Sequence, residues 1–250
     1  MRKYGLIGFP LEHSFSAAYF HNKFKLESIT DAIYKNYPLE NIEELTSLIN
    51  NEIELCGLNV TIPYKKKVFK FLDSIDQQAK NAGSVNVIKI IRFDRKTILK
   101  GYNSDIYGFR QSLLPYLDNN VKQALILGTG GSSGAVAYVL DSLNINKIFV
   151  SRTPGDNRIT YRDITDALIK NTRLIVNTTP IGMYPETDAK PEIPYDLLTK
   201  SHILYDLIYN PEKTLFLKEG EKRGCMIING LSMLKLQAEK SWEIWNDPLY

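Results

Sequence analysis

The sequence predicts an α/β protein of two domains, the second built on a doubly wound parallel sheet. Short apolar runs alternate with helix-like stretches along the whole chain. From about Val121 the rhythm becomes a strict strand–helix alternation, the pattern of a parallel sheet covered by helices. The chain has 250 residues, 44% of them hydrophobic and 24% charged, which is enough apolar material for two ordinary cores.

In the first hundred residues, Lys3–Gly8, Ala32–Tyr37 and Cys56–Thr61 read as strands, and Ala17–Phe24, Ile42–Asn50 and Lys65–Leu72 as helices. Val85–Arg92 and Thr97–Tyr102 read as a strand pair across the polar turn Phe93–Lys96. Asp105–Tyr116 reads as a linking helix, ended by Pro115 and the polar Asp118–Asn120. Beyond it, Gln123–Leu127, Lys147–Ser151, Arg173–Asn177, Ile203–Asp206 and Met226–Asn229 read as buried strands, with a helix at Ser132–Leu143. A last helix, Leu231–Trp245, is expected to return to the first domain. Residues 1–104 with 230–250 would then form one domain and residues 105–229 the other.

Composition excludes several classes. A net charge of +3 is too slight for an extended nucleic-acid surface and suits a small anionic ligand. With 2 cysteines and 3 histidines, no metal-ligand spacing emerges, and Cys56 and Cys225 read as small hydrophobes of a reducing compartment. No apolar run is long enough to span a bilayer. The chain opens on an apparent strand instead of a secretory leader, so a cytoplasmic location is expected.

The chemistry-bearing segments begin with Gly128-Thr129-Gly130-Gly131-Ser132-Ser133-Gly134-Ala135, which follows an apolar strand and opens a helix. Glycines there let the backbone turn sharply and approach a pyrophosphate, whose charge meets free N–H groups at the helix start. A flexible turn is the alternative. Ser133 stands where the usual dinucleotide fingerprint has its third glycine. The next strand ends in Ser151-Arg152-Thr153, where an NAD-binding fold places an acid roughly 20 residues on to take the ribose hydroxyl. A guanidinium cannot accept a hydroxyl proton but matches a 2′-phosphate, so Arg152 points to NADP. Read otherwise, Arg152 is a solvated cation at a strand end.

In the first domain, Asn59-Val60-Thr61-Ile62-Pro63-Tyr64-Lys65 closes a strand and turns at Pro63. Lys65 therefore lies near a strand's carboxyl end, where ligands bind in open α/β sheets. It also begins a run with Lys66, Lys67 and Lys70, which alone would read as a solvated face. Asp105, in Gly101-Tyr102-Asn103-Ser104-Asp105-Ile106-Tyr107-Gly108, reads equally as a helix N-cap.

Taken with His13-Ser14-Phe15-Ser16, Gly83-Ser84-Val85-Asn86, Asn177-Thr178-Thr179-Pro180-Ile181-Gly182-Met183, Asp206-Leu207-Ile208-Tyr209-Asn210-Pro211 and Gly230-Leu231-Ser232-Met233-Leu234 followed by Gln237, these segments resemble the shikimate dehydrogenase family in chain order. The resemblance implies an N-terminal α/β substrate domain, a Rossmann-like doubly wound cofactor domain, and NADPH-dependent reduction of 3-dehydroshikimate to shikimate. It implies Lys65 and Asp105 as the catalytic pair. Ser14, Ser16 and Tyr209 would hold the substrate carboxylate, and Thr61, Asn86 and Gln237 its ring hydroxyls. Gly128, Thr129, Gly130, Gly131, Ser132, Ser151, Arg152, Thr153, Leu207 and Gly230 would hold NADP(H). The simpler roles are that Ser16 caps the helix at Ala17, Asn86 satisfies strand ends, and Gln237 sits on a wet helix face.

Departures from the family pattern are Ala17 after Ser16, Ser104 for the usual Thr, and Ser151 for the common Asn. The second basic residue after Arg152 is displaced to Arg158 or absent. A dehydrogenase acting on quinate or using NAD is the nearest alternative, and a non-catalytic NADP-binding sensor on the same fold is another. The expected partner is a small-molecule substrate, with no nucleic acid and no membrane, in a monomer or homodimer.

Overall fold

The computed structural model describes residues 1–11, 15–94 and 96–249. The chain divides into two compact units: Met1–Ser104 with Ala238–Tyr250, and Asp105–Gln237.

The first unit runs β1 (Arg2–Gly8), α1 (Phe15–Leu26), β2 (Ala32–Pro38), α2 (Glu44–Asn51), β3 (Leu55–Val60), a 3-10 turn (Lys67–Phe71), β4 (Ser74–Ile75), α3 (Gln77–Ala82), β5 (Val87–Phe93) and β6 (Lys96–Tyr102). Its sheet has the order β2-β1-β3-β5-β6-β4. β2, β1 and β3 are parallel, whereas β5 is antiparallel to both β3 and β6. Two apolar layers cover it. One contains Leu45, Ile49, Leu55, Leu58, Val68 and Ile88, and the other Tyr4, Phe20, Phe24, Val87, Ala238 and Trp245. Gly57 is required under the second layer, because a Cβ there would lie 2.3 Å from the Trp245 ring. That indole stacks on Tyr4 at 4.9 Å and donates its N–H to the Ile88 carbonyl at 3.0 Å.

The second unit begins with α4 (Ser104–Leu113), whose first residue belongs to the first unit, and a 3-10 turn (Leu114–Tyr116). It continues with β7 (Gln123–Leu127), α5 (Gly131–Ser142), β8 (Asn146–Ser151), β9 (Arg158–Thr160), α6 (Asp166–Asn171), β10 (Leu174–Asn177), β11 (Ile203–Asp206), α7 (Leu215–Glu221), β12 (Met226–Ile228) and α8 (Leu231–Asn246), which is divided between the units after Gln237. The sheet order is β12-β11-β10-β7-β8-β9 with every pairing parallel, the Rossmann-like arrangement. The strand order reverses between β7 and β10, so Gly128 and Thr178 leave neighbouring strand ends at the switch point.

The helix expected at Lys65–Leu72 is corrected to a turn followed by the short 3-10 segment. The reason is local. The Lys65 carbonyl, which a helix would use internally, instead accepts the Val85 N–H at 2.8 Å. Elements not anticipated include α3, which carries clear end signals: Asp76 accepts from the N–H groups of Gln78 and Ala79 at 2.8 and 3.3 Å, and Gly83 closes it in the left-handed region at φ 62°. β4, β9, α6 and α7 are short and were likewise not anticipated.

Candidate active site

β3 delivers the first group of site residues. Asn59 is buried near its end and Thr61 lies just beyond, with its N–H bonded to the Ile7 carbonyl at 2.9 Å. Gly8 makes room for Thr61, since a Cβ there would stand 2.4 Å from the threonine methyl. Tyr64 is buried and donates its hydroxyl to the Leu39 carbonyl at 2.6 Å, pinning the turn that carries Lys65. Lys65 is half-buried, while Lys66, Lys67 and Lys70 are exposed. Lys70 pairs with Glu43 at 2.8 Å and Lys67 lies over the Tyr64 ring. The lysine run is therefore divided by environment.

Asn86 is buried between β3 and the start of α4. Its carbonyl accepts the Val60 N–H at 2.8 Å, and its side-chain oxygen accepts the Ser104 N–H at 2.7 Å. Asn86 thus does satisfy a strand end, and it also receives a donor at the start of α4. Asp105 is the second residue of α4, two residues past the N-cap position at Asn103, and is buried, so the expected N-cap role is corrected. Ser16 likewise falls inside the first turn of α1, which begins at Phe15, so the expected cap at Ala17 is corrected. Ser16 is hydrogen-bonded to Tyr34, whose hydroxyl is pushed to a higher pKa by burial and donates to Asn59 Oδ1 at 2.8 Å. Ser14 and His13 lie outside the described residues. The first unit therefore brings Ser16, Thr61 and Asn86 to one polar end of its sheet, with Lys65 beside it.

In the second unit, α8 approaches α4 at Gly108, where a Cβ would meet the Met233 carbonyl at 2.6 Å and Gln237 Cβ at 3.1 Å. Gln237 thereby stands against α4 one turn from Asp105. Tyr209 is half-buried after β11, and burial raises the pKa of its hydroxyl.

The glycine loop has the features that a pyrophosphate needs. Gly128 takes φ 104°, a conformation strained for other residues, and a Cβ there would meet Thr179 and Thr178 side chains at 2.8 and 3.0 Å. Gly130 caps α5 with open space around it and no side-chain cap on the helix start. Thr129, Gly131 and Ser132 complete this turn. Ser151 is buried at the end of β8, with Arg152 and Thr153 exposed beyond it. Arg152 makes no hydrogen bond or ion pair among the described residues, which leaves its guanidinium available to a phosphate. Leu207 and Gly230 are in direct backbone contact: a Cβ on Gly230 would lie 2.0 Å from the Leu207 carbonyl oxygen. Together these residues fit a dinucleotide with a 2′-phosphate.

Asp206 holds the ends of β10 and β11 together. Its fully buried carboxylate accepts from Asn177 Nδ2 at 3.1 Å, the Ile208 N–H at 3.0 Å and Thr214 Oγ1 at 2.6 Å. Burial pushes its pKa from the ordinary 3.8 up to about 6, against the opposing effect of those bonds. Between these values the folded state keeps a proton that the unfolded chain has released. The contribution is therefore most favourable at low pH and falls as pH rises through this window. The melting temperature of the wild type minus that of Asp206→Asn should fall as pH goes from about 4 to about 7. A pH-independent difference would refute the assignment of that proton.

Sequence reasoning gave no role to Gly8, Tyr34, Asn59, Ser104, Gly108 or Ser241. Asn59 carried a signal, a polar residue between Leu58 and Val60 on a core strand, whereas Ser241 carried none.

Comparison with known proteins accords with this geometry. A family model described as the shikimate dehydrogenase substrate binding domain matches residues 6–88. A shikimate dehydrogenase (NADP(+)) of Methanococcus aeolicus is 39% identical over 261 aligned residues, covering 96% of this chain and 90% of the relative. A crystal structure of a shikimate dehydrogenase in complex with NADP+ superposes with a TM-score of 0.86 at 34% identity, covering 98% of this chain and 90% of the other. A quinate dehydrogenase from Corynebacterium glutamicum in complex with NAD superposes at 0.83 with 26% identity, over 98% and 93% of the two chains. With that degree of identity sustained across nearly its whole length, this chain belongs to the shikimate dehydrogenase family.

Proposed function

We propose that this protein catalyses the reversible, NADPH-dependent reduction of 3-dehydroshikimate to shikimate, with Lys65 and Asp105 at the reacting centre. The observation that carries this reading is the separation of Lys65 from its neighbours: it alone of the run is half-buried, beside the polar end formed by Ser16, Thr61 and Asn86. When bound, NADPH supplies hydride to the carbonyl carbon. The Lys65 ammonium gives its proton, or its charge, to the carbonyl oxygen as negative charge develops there. Asp105 orients that ammonium and accepts a hydrogen bond from a neighbouring hydroxyl. Ser14, Ser16 and Tyr209 hold the carboxylate, and Thr61, Asn86 and Gln237 the ring hydroxyls. The loop from Gly128 to Ser132, the turn from Ser151 to Thr153, and Leu207 with Gly230 hold the cofactor. We assign residues 1–104 with 230–250 to substrate binding and 105–229 to NADP, in a cytoplasmic enzyme acting as a monomer or homodimer.

A second reading, oxidation of quinate or use of NAD, is raised by the superposition of the NAD-bound quinate dehydrogenase at a TM-score of 0.83. The purified protein, assayed with shikimate and quinate against NADP and NAD, separates the two. Shikimate with NADP is expected to be fastest, quinate weaker, and simple cyclohexanols or the methyl ester of shikimate nearly inert. A site lined by hydrogen-bonding groups rejects an analogue lacking them by ~10,000-fold, because its own polar atoms are left unpaired. Equal turnover of shikimate and unsubstituted cyclohexanol would sink this assignment, and turnover of neither would leave an NADP-binding sensor.

A further inference from the structure

A continuous hydrogen-bonded chain runs beneath the polar end of the first sheet. Tyr34 donates to Asn59 Oδ1 at 2.8 Å, which turns the amide so that Asn59 Nδ2 donates to Ser241 Oγ at 2.9 Å. Ser241 Oγ lies 3.1 Å from Ser104 Oγ. Either hydroxyl of this pair can donate to the other, so the two are coupled whichever carries the shared proton. Ser104 in turn holds both ends of one side chain: its N–H donates to Asn86 Oδ1 at 2.7 Å, and its hydroxyl accepts from Asn86 Nδ2 at 3.1 Å. Asn59 is 5% exposed, Asn86 3%, and Ser104 and Ser241 0%, so water cannot substitute for a missing partner.

We propose that Ser241 is a positioning residue for substrate recognition: through Ser104 it holds the Asn86 amide in the one orientation that presents Nδ2 to a ring hydroxyl. The inference rests on the assignment of Asn86 to the substrate. Ser241 lies on α8, which no other side-chain bond of this relay involves, so the end of β3, the start of α4 and the C-terminal helix are tied at a single hydroxyl. Removing it takes the 2.9 Å acceptor from Asn59 Nδ2, which among the described residues keeps only a longer contact to the Asn86 carbonyl at 3.4 Å, and takes one hydrogen bond from Ser104; both groups adjoin Asn86. Asn86 then keeps the Ser104 N–H on Oδ1 but loses part of what holds the Ser104 hydroxyl against Nδ2.

The test is steady-state kinetics of Ser241→Ala, Ser241→Cys and Ser241→Thr, with shikimate and with an analogue lacking one ring hydroxyl. Ser241→Ala is expected to raise the Michaelis constant for shikimate ~5- to 30-fold, the loss of one buried hydrogen-bond partner. The constant for NADP and the turnover number should stay within about twofold. Ser241→Cys keeps the volume with a weak donor and should behave like alanine, whereas Ser241→Thr keeps the hydroxyl and should recover most of the affinity. The preference for shikimate over the deoxy analogue should shrink in the alanine and cysteine variants and persist in the threonine variant. Ser104→Ala, which keeps the backbone N–H to Asn86, cuts the same link from its other end should Ser241→Ala not fold. An unchanged shikimate constant in a folded variant, equal weakening of NADP, or full recovery by cysteine would each overturn the proposal. A wild type that does not oxidise shikimate would overturn the functional assignment itself, a distinct result.

Discussion

Lys65→Ala is expected to lower turnover ~100- to 10,000-fold while changing the Michaelis constant for shikimate little. The ammonium matters chiefly in the transition state, when the carbonyl oxygen gains charge, and much less to a bound neutral ketone or alcohol. The neighbouring lysines provide an internal control. Lys66 and Lys67 are exposed, and Lys70 is engaged by Glu43, so alanine at those positions should leave turnover near wild type. Single-turnover measurements separate the chemical step from release. Near-wild-type turnover in Lys65→Ala would return this residue to the solvated run and require another proton donor.

Arg152→Ala is expected to shift cofactor preference. Its guanidinium is exposed and has no hydrogen-bonding partner among the described residues, so removing it disturbs no packing. What it loses is a charge-assisted contact with the 2′-phosphate, which contributes about 1.5–3 kcal/mol. The Michaelis constant for NADP should therefore rise ~10- to 150-fold relative to that for NAD. Equal weakening of both would mean that Arg152 supports the turn and not the phosphate. Chain folding should be unaffected, which thermal melting checks.

How much of this was legible in the sequence depended on how local the signal was. Gln123–Leu127 and Ile203–Asp206 were bounded correctly because each is a compact apolar run closed by a glycine or a buried polar residue. The glycine loop was legible because Gly128 and Gly130 serve backbone demands that few other residues meet. Lys65–Leu72 misled because helical spacing says nothing about a distant N–H, that of Val85, claiming the Lys65 carbonyl. The short strands β4 and β9 are invisible to periodicity, since two or three residues define no period. Within the site, the motif residues could be named but not the bonds that hold them. Asn86 meets Ser104 across 18 positions, and Asn59 meets Ser241 across 182, separations at which no single-sequence pattern carries information.

The division of α8 has a consequence for the order in which the protein is made. Synthesis proceeds from the amino end, and Asp105–Gln237 is contiguous, so that unit can close its core as soon as it has emerged. The first unit is translated earlier, yet the pocket formed over Gly57 by Tyr4, Phe20 and Phe24 is filled by Trp245 near the other end of the chain. Until that indole arrives, the sheet exposes an aromatic face and the Ile88 carbonyl lacks its bond from the indole N–H. The half translated first is thus the half completed last. In chain order, the final turns of α8 are what complete the aromatic face of the first unit.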